Sequence, residues 1–215
     1  MGMHFHAFVK ALSNENRKIP KPGADDLILD FGCGPATSLF GFERAAVGRP
    51  LAATTFVGIE RSQSMRNLAE VAVRTLDLGH FALEATAEQG AMSCAELGSG
   101  RANRLFLVFS YFFGQNLEYE IIEEVARAAS GTISRMRPRQ VVSVYTNIDI
   151  ECAAWMPNGD IHYWYRAFIG RMDWKPQIDE MTYTYPVPSD LELDPNHTAS
   201  GSLTYDVQAH TVSAQ

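Results

Sequence analysis

Two glycines and a carboxylate at the end of an apolar segment are the residues of this sequence best suited to chemistry. Leu27 to Leu29 are apolar, Asp30 and Phe31 follow, and Gly32-Cys33-Gly34 comes next. The apolar run predicts a buried strand, and the glycines predict a tight turn before a helix. Such a unit places free backbone N–H groups and a helix N-terminus beside a crevice of nucleotide size. The segment therefore predicts a cofactor pocket.

Two further acids stand at the ends of predicted strands. Thr54–Glu60 is a mostly apolar segment that ends on Glu60, and His80–Glu84 is a shorter one that ends on Glu84. Ser62 is suited to cap a helix in which Met65 is the first of several apolar residues at helical spacing. Both acids are therefore candidates for the same pocket.

Strands and helices alternate along the first two thirds of the chain. The predicted strands cover residues 27–31, 54–60, 80–84, 105–110 and 140–146. Helices are predicted from the glycine turn to about residue 47, after Ser62, and over 117–130 with Gly131 near its end. Beyond residue 147 the pattern predicts a helix within 159–172 and two antiparallel strands, 180–185 and 203–210, joined by a polar loop.

This alternation predicts right-handed βαβ units in a parallel sheet, and thus an α/β protein. A chain of 215 residues is long enough for one domain with a full core. We predict a single domain with an N-terminal helix and connector at 1–24, a cofactor-binding half at 25–147 and substrate-side closing strands at 148–215.

The motif Asp30-Phe31-Gly32-Cys33-Gly34, followed by Gly58-Ile59-Glu60-Arg61-Ser62 and Met65, resembles class I S-adenosylmethionine-dependent methyltransferases. The resemblance covers about residues 25–147. It implies a Rossmann-like three-layer sandwich with a mostly parallel seven-stranded sheet and an antiparallel last strand. It also implies S-adenosyl-L-methionine as the cofactor and methyl transfer as the activity.

The resemblance assigns roles to single residues. Asp30 would meet the ammonium group of the cofactor, Glu60 both ribose hydroxyls, Met65 the adenine face and Glu84 the adenine amino group. The complete set expected to bind the cofactor is Asp30, Gly32, Cys33, Gly34, Glu60, Arg61, Met65, Glu84 and Ser110. Thr86 or Glu88 could replace Glu84 if the register shifts.

The glycine turn departs from the family pattern at one position, where Ala36 replaces the usual third glycine. A nicotinamide or flavin enzyme is the alternative for a glycine turn of this kind. The GxGxxG run typical of nicotinamide enzymes is missing, because position 37 is Thr, so the turn favours S-adenosylmethionine.

The acceptor side is predicted from the ends of the fourth and fifth strands. Tyr111 and Asp149 are the side chains expected to position or deprotonate the acceptor. Ser110 and Phe113 would suit methylation of a nucleobase amino group, but the prolines that accompany such residues are replaced by Tyr111 and Phe112. A packed aromatic loop is the favoured interpretation of Phe112 and Phe113. Any single aromatic residue after the fifth strand, Trp164 among them, is more typical of the core. Together with the acidic residues there, these aromatics predict a rim for an amine, a cationic side chain or an apolar small molecule.

The distribution of charge along the chain indicates which class of acceptor to expect. Residues 149–215 carry three basic and ten acidic side chains, while the rest of the chain is balanced, for a net charge of -7. Arg135, Arg137 and Arg139 precede the fifth strand and are predicted at the edge opposite the pocket. The acceptor is therefore expected to be a small molecule or protein rather than nucleic acid.

Several function classes remain open or are excluded. A non-catalytic cofactor-binding subunit or scaffold, and a nucleic-acid methyltransferase working with a partner, are the alternatives to a free-standing enzyme; a protein partner or a homodimer is also possible. Cysteine and histidine spacing predicts no metal site. No run is long enough to span a membrane, and no secretory signal is recognisable, so a cytoplasmic protein is expected.

Overall fold

A computed structural model describes residues 8–12, 22–45, 51–98, 102–114, 117–148, 156–189 and 192–211. Its centre is a seven-stranded sheet with the order β3-β2-β1-β4-β5-β7-β6. The strands are β1 (Leu27–Phe31), β2 (Thr55–Ile59), β3 (His80–Glu84), β4 (Arg104–Ser110), β5 (Gln140–Ile148), β6 (Asp179–Ser189) and β7 (Glu192–Thr211). The pairs formed among β1 to β5 are parallel, and β7 runs antiparallel to both β5 and β6. The predicted sheet is confirmed.

Helices cover both faces of the sheet. Residues 8–12 are helical (α1), and the longer helices are α2 (Thr37–Ala45), α3 (Gln63–Thr75), α4 (Ala87–Leu97), α5 (Tyr119–Met136) and α6 (Tyr163–Arg171). One hydrophobic cluster joins α4, α5 and α6 to one face of the sheet, and a second joins α1, α2 and α3 to the other. This is the predicted three-layer sandwich.

The alternation of side chains along β1 explains why both faces are covered. Leu27 and Leu29 point into the α4–α6 layer, while Ile28 points into the α1–α3 layer, and all three are buried. A strand with apolar residues on both faces must lie inside a sheet with helices on each side. The chain order reverses between β1 and β4, so a crevice opens there at the carboxyl ends of the strands.

Three details of the sequence-based prediction were wrong. Helix α4 was not predicted at all, and α5 continues five residues beyond Gly131, to Met136. Among the described residues, most of the polar loop expected between the last two strands is itself strand. β6 and β7 extend into it and pair along most of their length, with one irregularity between Pro186 and Pro188. No helix within the described ranges is long and apolar enough to cross a membrane.

Candidate functional site

The glycine turn closes β1 and stays bonded to β2. The N–H groups of Gly32 and Cys33 both donate to the Ile59 carbonyl, at 2.8 and 3.0 Å. Gly32 and Gly34 have φ values of 68° and 52°, a region that favours glycine. A Cβ on Gly34 would meet no atom within 4 Å, whereas one on Gly32 would lie 2.8 Å from Cδ2 of Phe112. Space for a ligand is therefore open at Gly34, while the space beside Gly32 is taken by Phe112.

Asp30 is a buried acid with one oxygen still available. The Ser38 hydroxyl donates to Oδ2, and Oδ1 has no hydrogen-bond partner among the described residues. Desolvation raises the pKa of Asp30 to about 7, the Ser38 hydrogen bond opposes this rise, and the charge of Glu60 adds to it. Such a carboxylate gains most from a ligand that brings a positive charge or a hydrogen-bond donor.

Glu60 connects the glycine turn to helix α3. Its Oε2 accepts from the Gly34 N–H at 3.1 Å, and its Oε1 accepts from the Ser62 N–H at 2.8 Å. Each carboxylate oxygen can accept more than one hydrogen bond, so the group can still bind a ligand hydroxyl. The side chain is half-buried, and it lies on the wall of the crevice.

The crevice has two lobes that share Gly32 and Glu60. The α5 lobe is a cavity of about 140 Å³, lined by Phe31, Gly32, Ile59, Glu60, Arg61, Ala85, Thr86, Ala87, Phe112, Leu117, Ile121, Glu124 and Val125. The α3 lobe is a cavity of about 460 Å³, lined by Asp30, Gly32, Cys33, Gly34, Pro35, Thr37, Ser38, Glu60, Met65, Leu68, Ser110 and Tyr111. A ligand that spans both lobes would pass Glu60.

Most of the predicted cofactor-binding residues lie on this crevice. Arg61 lines the α5 lobe, and Met65, which is 40% exposed, lines the α3 lobe. Glu84 lines neither lobe, and its Oε1 accepts a hydrogen bond from Ser93 Oγ of helix α4 at 2.6 Å. The structure therefore brings together every predicted cofactor residue except Glu84.

Cys33 lies on the wall of the α3 lobe but is not a reactive thiol. Burial raises its pKa well above the usual value, and the charges of Asp30 and Glu60 raise it further. A thiol with a raised pKa stays protonated and is a weak nucleophile. Its sulfur fills the space beside Gly58, where a Cβ would lie 2.7 Å from it.

Of the two residues predicted to position or deprotonate the acceptor, the structure describes Tyr111. Tyr111 follows β4, lines the α3 lobe and has a φ of 61°, which is unusual for a bulky residue. Its N–H donates to the Thr146 carbonyl of β5, so the pairing of β4 with β5 fixes this conformation. Asp149 lies outside the described residues.

Two aromatic residues on the acceptor side belong to the core. Phe113 is fully buried against Phe109, Tyr145 and Phe168, so it is not free to stack on a nucleobase. Trp164 is also buried in the α4–α6 layer and does not form an exposed aromatic rim.

Helix α5 supplies residues that the sequence did not predict for the site. Leu117, just before the helix, and Ile121, Glu124 and Val125 within it line the α5 lobe. Glu124 Oε1 accepts from the Ala87 N–H at the start of α4, 3.3 Å away. Their spacing of three and four residues is ordinary for a core helix face, so only tertiary packing shows that they reach the crevice. No group of His, Cys, Asp and Glu in the described ranges could hold a metal ion.

Comparison with known proteins identifies the fold. No family model matches the sequence, and no curated protein matches it. Precorrin-6Y C5,15-methyltransferase from Geobacter metallireducens is a structural match with a TM-score of 0.54 and 13% identity, over 94% of this chain and 86% of that one. A putative precorrin-6Y C5,15-methyltransferase domain from Corynebacterium diphtheriae matches with a TM-score of 0.51 and 13% identity, over 97% of each chain. The protein has the class I methyltransferase fold.

Proposed function

We propose that the protein binds S-adenosylmethionine across the two lobes and transfers its methyl group to a small molecule or a protein side chain. The observation that carries this proposal is the convergence of Asp30, Glu60 and the open turn at Gly34 on one crevice. The methyltransferases with the same fold support it.

The donor set fits this cofactor. The unpaired Oδ1 of Asp30 suits an ammonium group, and Glu60 lies where the lobes meet, as a ribose between a base and an amino-acid tail requires. Apolar side chains of Phe31, Ile59 and Phe112 in the α5 lobe suit the faces of a base, so Met65, which lines only the α3 lobe, is not assigned to the adenine face.

The cofactor supplies a methyl group that is already activated as a sulfonium. The chain therefore needs mainly to align the acceptor for in-line attack, at about 3 Å, and to exclude water. Tyr111 is the residue we assign to positioning the acceptor, because it lines the α3 lobe directly after the carboxyl end of β4.

The charges of the crevice favour an acceptor other than nucleic acid. Asp30 and Glu60 are acidic, and Arg61 is the one basic side chain among the residues that line the two lobes. Arg135, Arg137 and Arg139 line a separate cavity together with Asp25 and Asn103, at the amino edge of the sheet. A phosphate backbone bound there would not lie at the crevice.

Calorimetry with S-adenosylhomocysteine tests the proposal. Wild-type protein should bind it, and Glu60→Ala should weaken binding by about 1–3 kcal/mol through the loss of charge-assisted hydrogen bonds. Glu70→Ala, on the exposed face of α3, is a control that should bind as wild type does. Absence of binding to the wild type would refute the proposed cofactor.

A second experiment tests methyl transfer. The protein is incubated with cell extract and a labelled methyl donor, and a bound donor without labelled product would indicate a non-catalytic subunit.

A further inference from the structure

The acid expected to recognise the adenine amino group does not line the pocket. Glu84 stands at the end of β3, as the sequence predicts, but its carboxylate accepts from Ser93 Oγ at 2.6 Å and does not line the α5 lobe. Of the residues that follow it, Ala85 and Ala87 present only methyl side chains to the lobe, and the hydroxyl of Thr86 between them caps α4. A carboxylate acceptor for an exocyclic amine would therefore have to come from another residue that lines this lobe.

Glu124 is placed to take this role. It projects from the second turn of α5 onto the wall of the α5 lobe and is half-buried there. Its Oε1 is held by the Ala87 N–H at the N-terminus of α4, a position that favours a negative charge. The surrounding wall of Ile121, Val125 and Phe112 is apolar, which strengthens a hydrogen bond made inside it.

Other polar side chains in the lobe are less suited to this contact. Both oxygens of Glu60 accept backbone N–H groups, and Glu60 lies at the junction with the α3 lobe. The Thr86 hydroxyl caps α4, where it accepts from the Gln89 N–H at 3.2 Å. Arg61 has no acceptor atom.

We infer that Glu124 selects adenine in the α5 lobe by accepting a hydrogen bond from its exocyclic amino group. This inference rests on the proposed function. A carboxylate only accepts, so a base with an oxygen in place of the amino group would face it with a second acceptor. A site that leaves a buried polar group unpaired rejects such an analogue strongly.

Binding of two ligands separates this role from a structural one. We would measure the affinity of S-adenosylhomocysteine and of its 6-oxo analogue, S-inosylhomocysteine, for wild type, Glu124→Gln and Glu84→Gln. Wild type should prefer the adenine ligand by at least about tenfold. In Glu124→Gln the preference should fall by about tenfold or more, because a glutamine amide can turn to donate to the oxo group. Glu84→Gln is the matched control and should keep the wild-type preference.

Each outcome supports or contradicts the inference. If Glu124 only caps α4, Glu124→Gln will lower the melting temperature while the ratio of the two affinities stays as in wild type, and the inference is then wrong. A changed ratio in Glu84→Gln alone would return the role to Glu84. If wild type binds neither ligand, the proposed function itself fails, and the inference fails with it.

Discussion

At the scale of single residues, the site combines positions that the sequence predicts well with one that it does not. Asp30 and Glu60 could be predicted because each ends an apolar strand, and parallel strands end at the same edge. Glu124 could not, because nothing in its neighbourhood along the chain distinguishes it from an exposed helical acid. Phe112 is a similar case, since its contact with Gly32 depends on how the turn after β4 folds back.

The two glycines of the turn should respond differently to alanine. Both have positive φ, so either substitution should destabilise the fold by about 1–2 kcal/mol. Gly32→Ala also pushes a methyl group against Phe112 and should cost more stability, whereas Gly34→Ala places its methyl group in open space on the wall of the α3 lobe. Denaturant unfolding and calorimetry with S-adenosylhomocysteine should show that Gly34→Ala loses mainly affinity. Equal affinity in Gly34→Ala and wild type would contradict the assigned ligand space.

Asp30 should make stability depend on pH. Its pKa is raised from 3.8 to about 7 in the folded state, so between those values the folded protein binds more protons than the unfolded chain. The free energy of unfolding should then fall as pH rises from about 4 to about 7. Asp30→Asn keeps an acceptor for Ser38 but does not titrate, so it should lack this component. The free energy of unfolding of wild type and of Asp30→Asn, measured across pH 4–8, isolates the contribution of Asp30. Parallel dependences on pH would show that the pKa of Asp30 is not raised.

At the scale of elements, local signals predicted the strands of the first half closely but misjudged where several elements end. β1 and β3 have the predicted bounds, because apolar segments there are flanked by turn residues. Helix α4 was missed because Gly90 and several alanines weaken its apolar pattern, although the Thr86 cap and Gln89 gave a usable signal. β6 and β7 extend through Pro186 and Gly201, where strand pairing overrides local propensity.

Helix α5 allows a test of whether an element continues past a local stop signal, because Gly131 lies inside the helix rather than at its end. A Cβ at Gly131 would meet no atom within 4 Å, so Gly131→Ala should stabilise the protein by about 0.5–1 kcal/mol through its higher helix propensity. Gly90 of α4 is the matched control, since a Cβ there would lie 2.7 Å from Ile59 Cδ1. Chemical denaturation should therefore show gains for Gly131→Ala and losses for Gly90→Ala. Destabilisation by Gly131→Ala would mean that α5 ends at the glycine.

At the scale of the whole molecule, the two edges of the sheet have different roles. Helices run back from the carboxyl edge, so their C-terminal ends gather at the amino edge. Three of them, α2, α3 and α5, carry an arginine in the last turn, namely Arg44, Arg74 and Arg135. Cations there stabilise the negative ends of the helix dipoles. The dipoles therefore account for these three arginines without a bound polyanion, and the acids of the crevice lie at the other edge.

The amino edge should therefore control stability without affecting the crevice. Asp26 is fully buried, and its Oδ2 lies 2.5 Å from the Arg104 guanidinium, which joins the starts of β1 and β4. Arg104→Ala would leave this carboxylate buried without its partner and should lower the free energy of unfolding by about 3–5 kcal/mol. Arg74→Ala removes an exposed ion pair with Glu70 and should change the free energy of unfolding by less than about 1 kcal/mol.

The crevice lies at the other end of β1, which spans five residues, or about 16 Å. Both variants should therefore bind S-adenosylhomocysteine as wild type does at temperatures where they are folded. Weaker binding by folded Arg104→Ala would show that the two edges are coupled through β1 and β4.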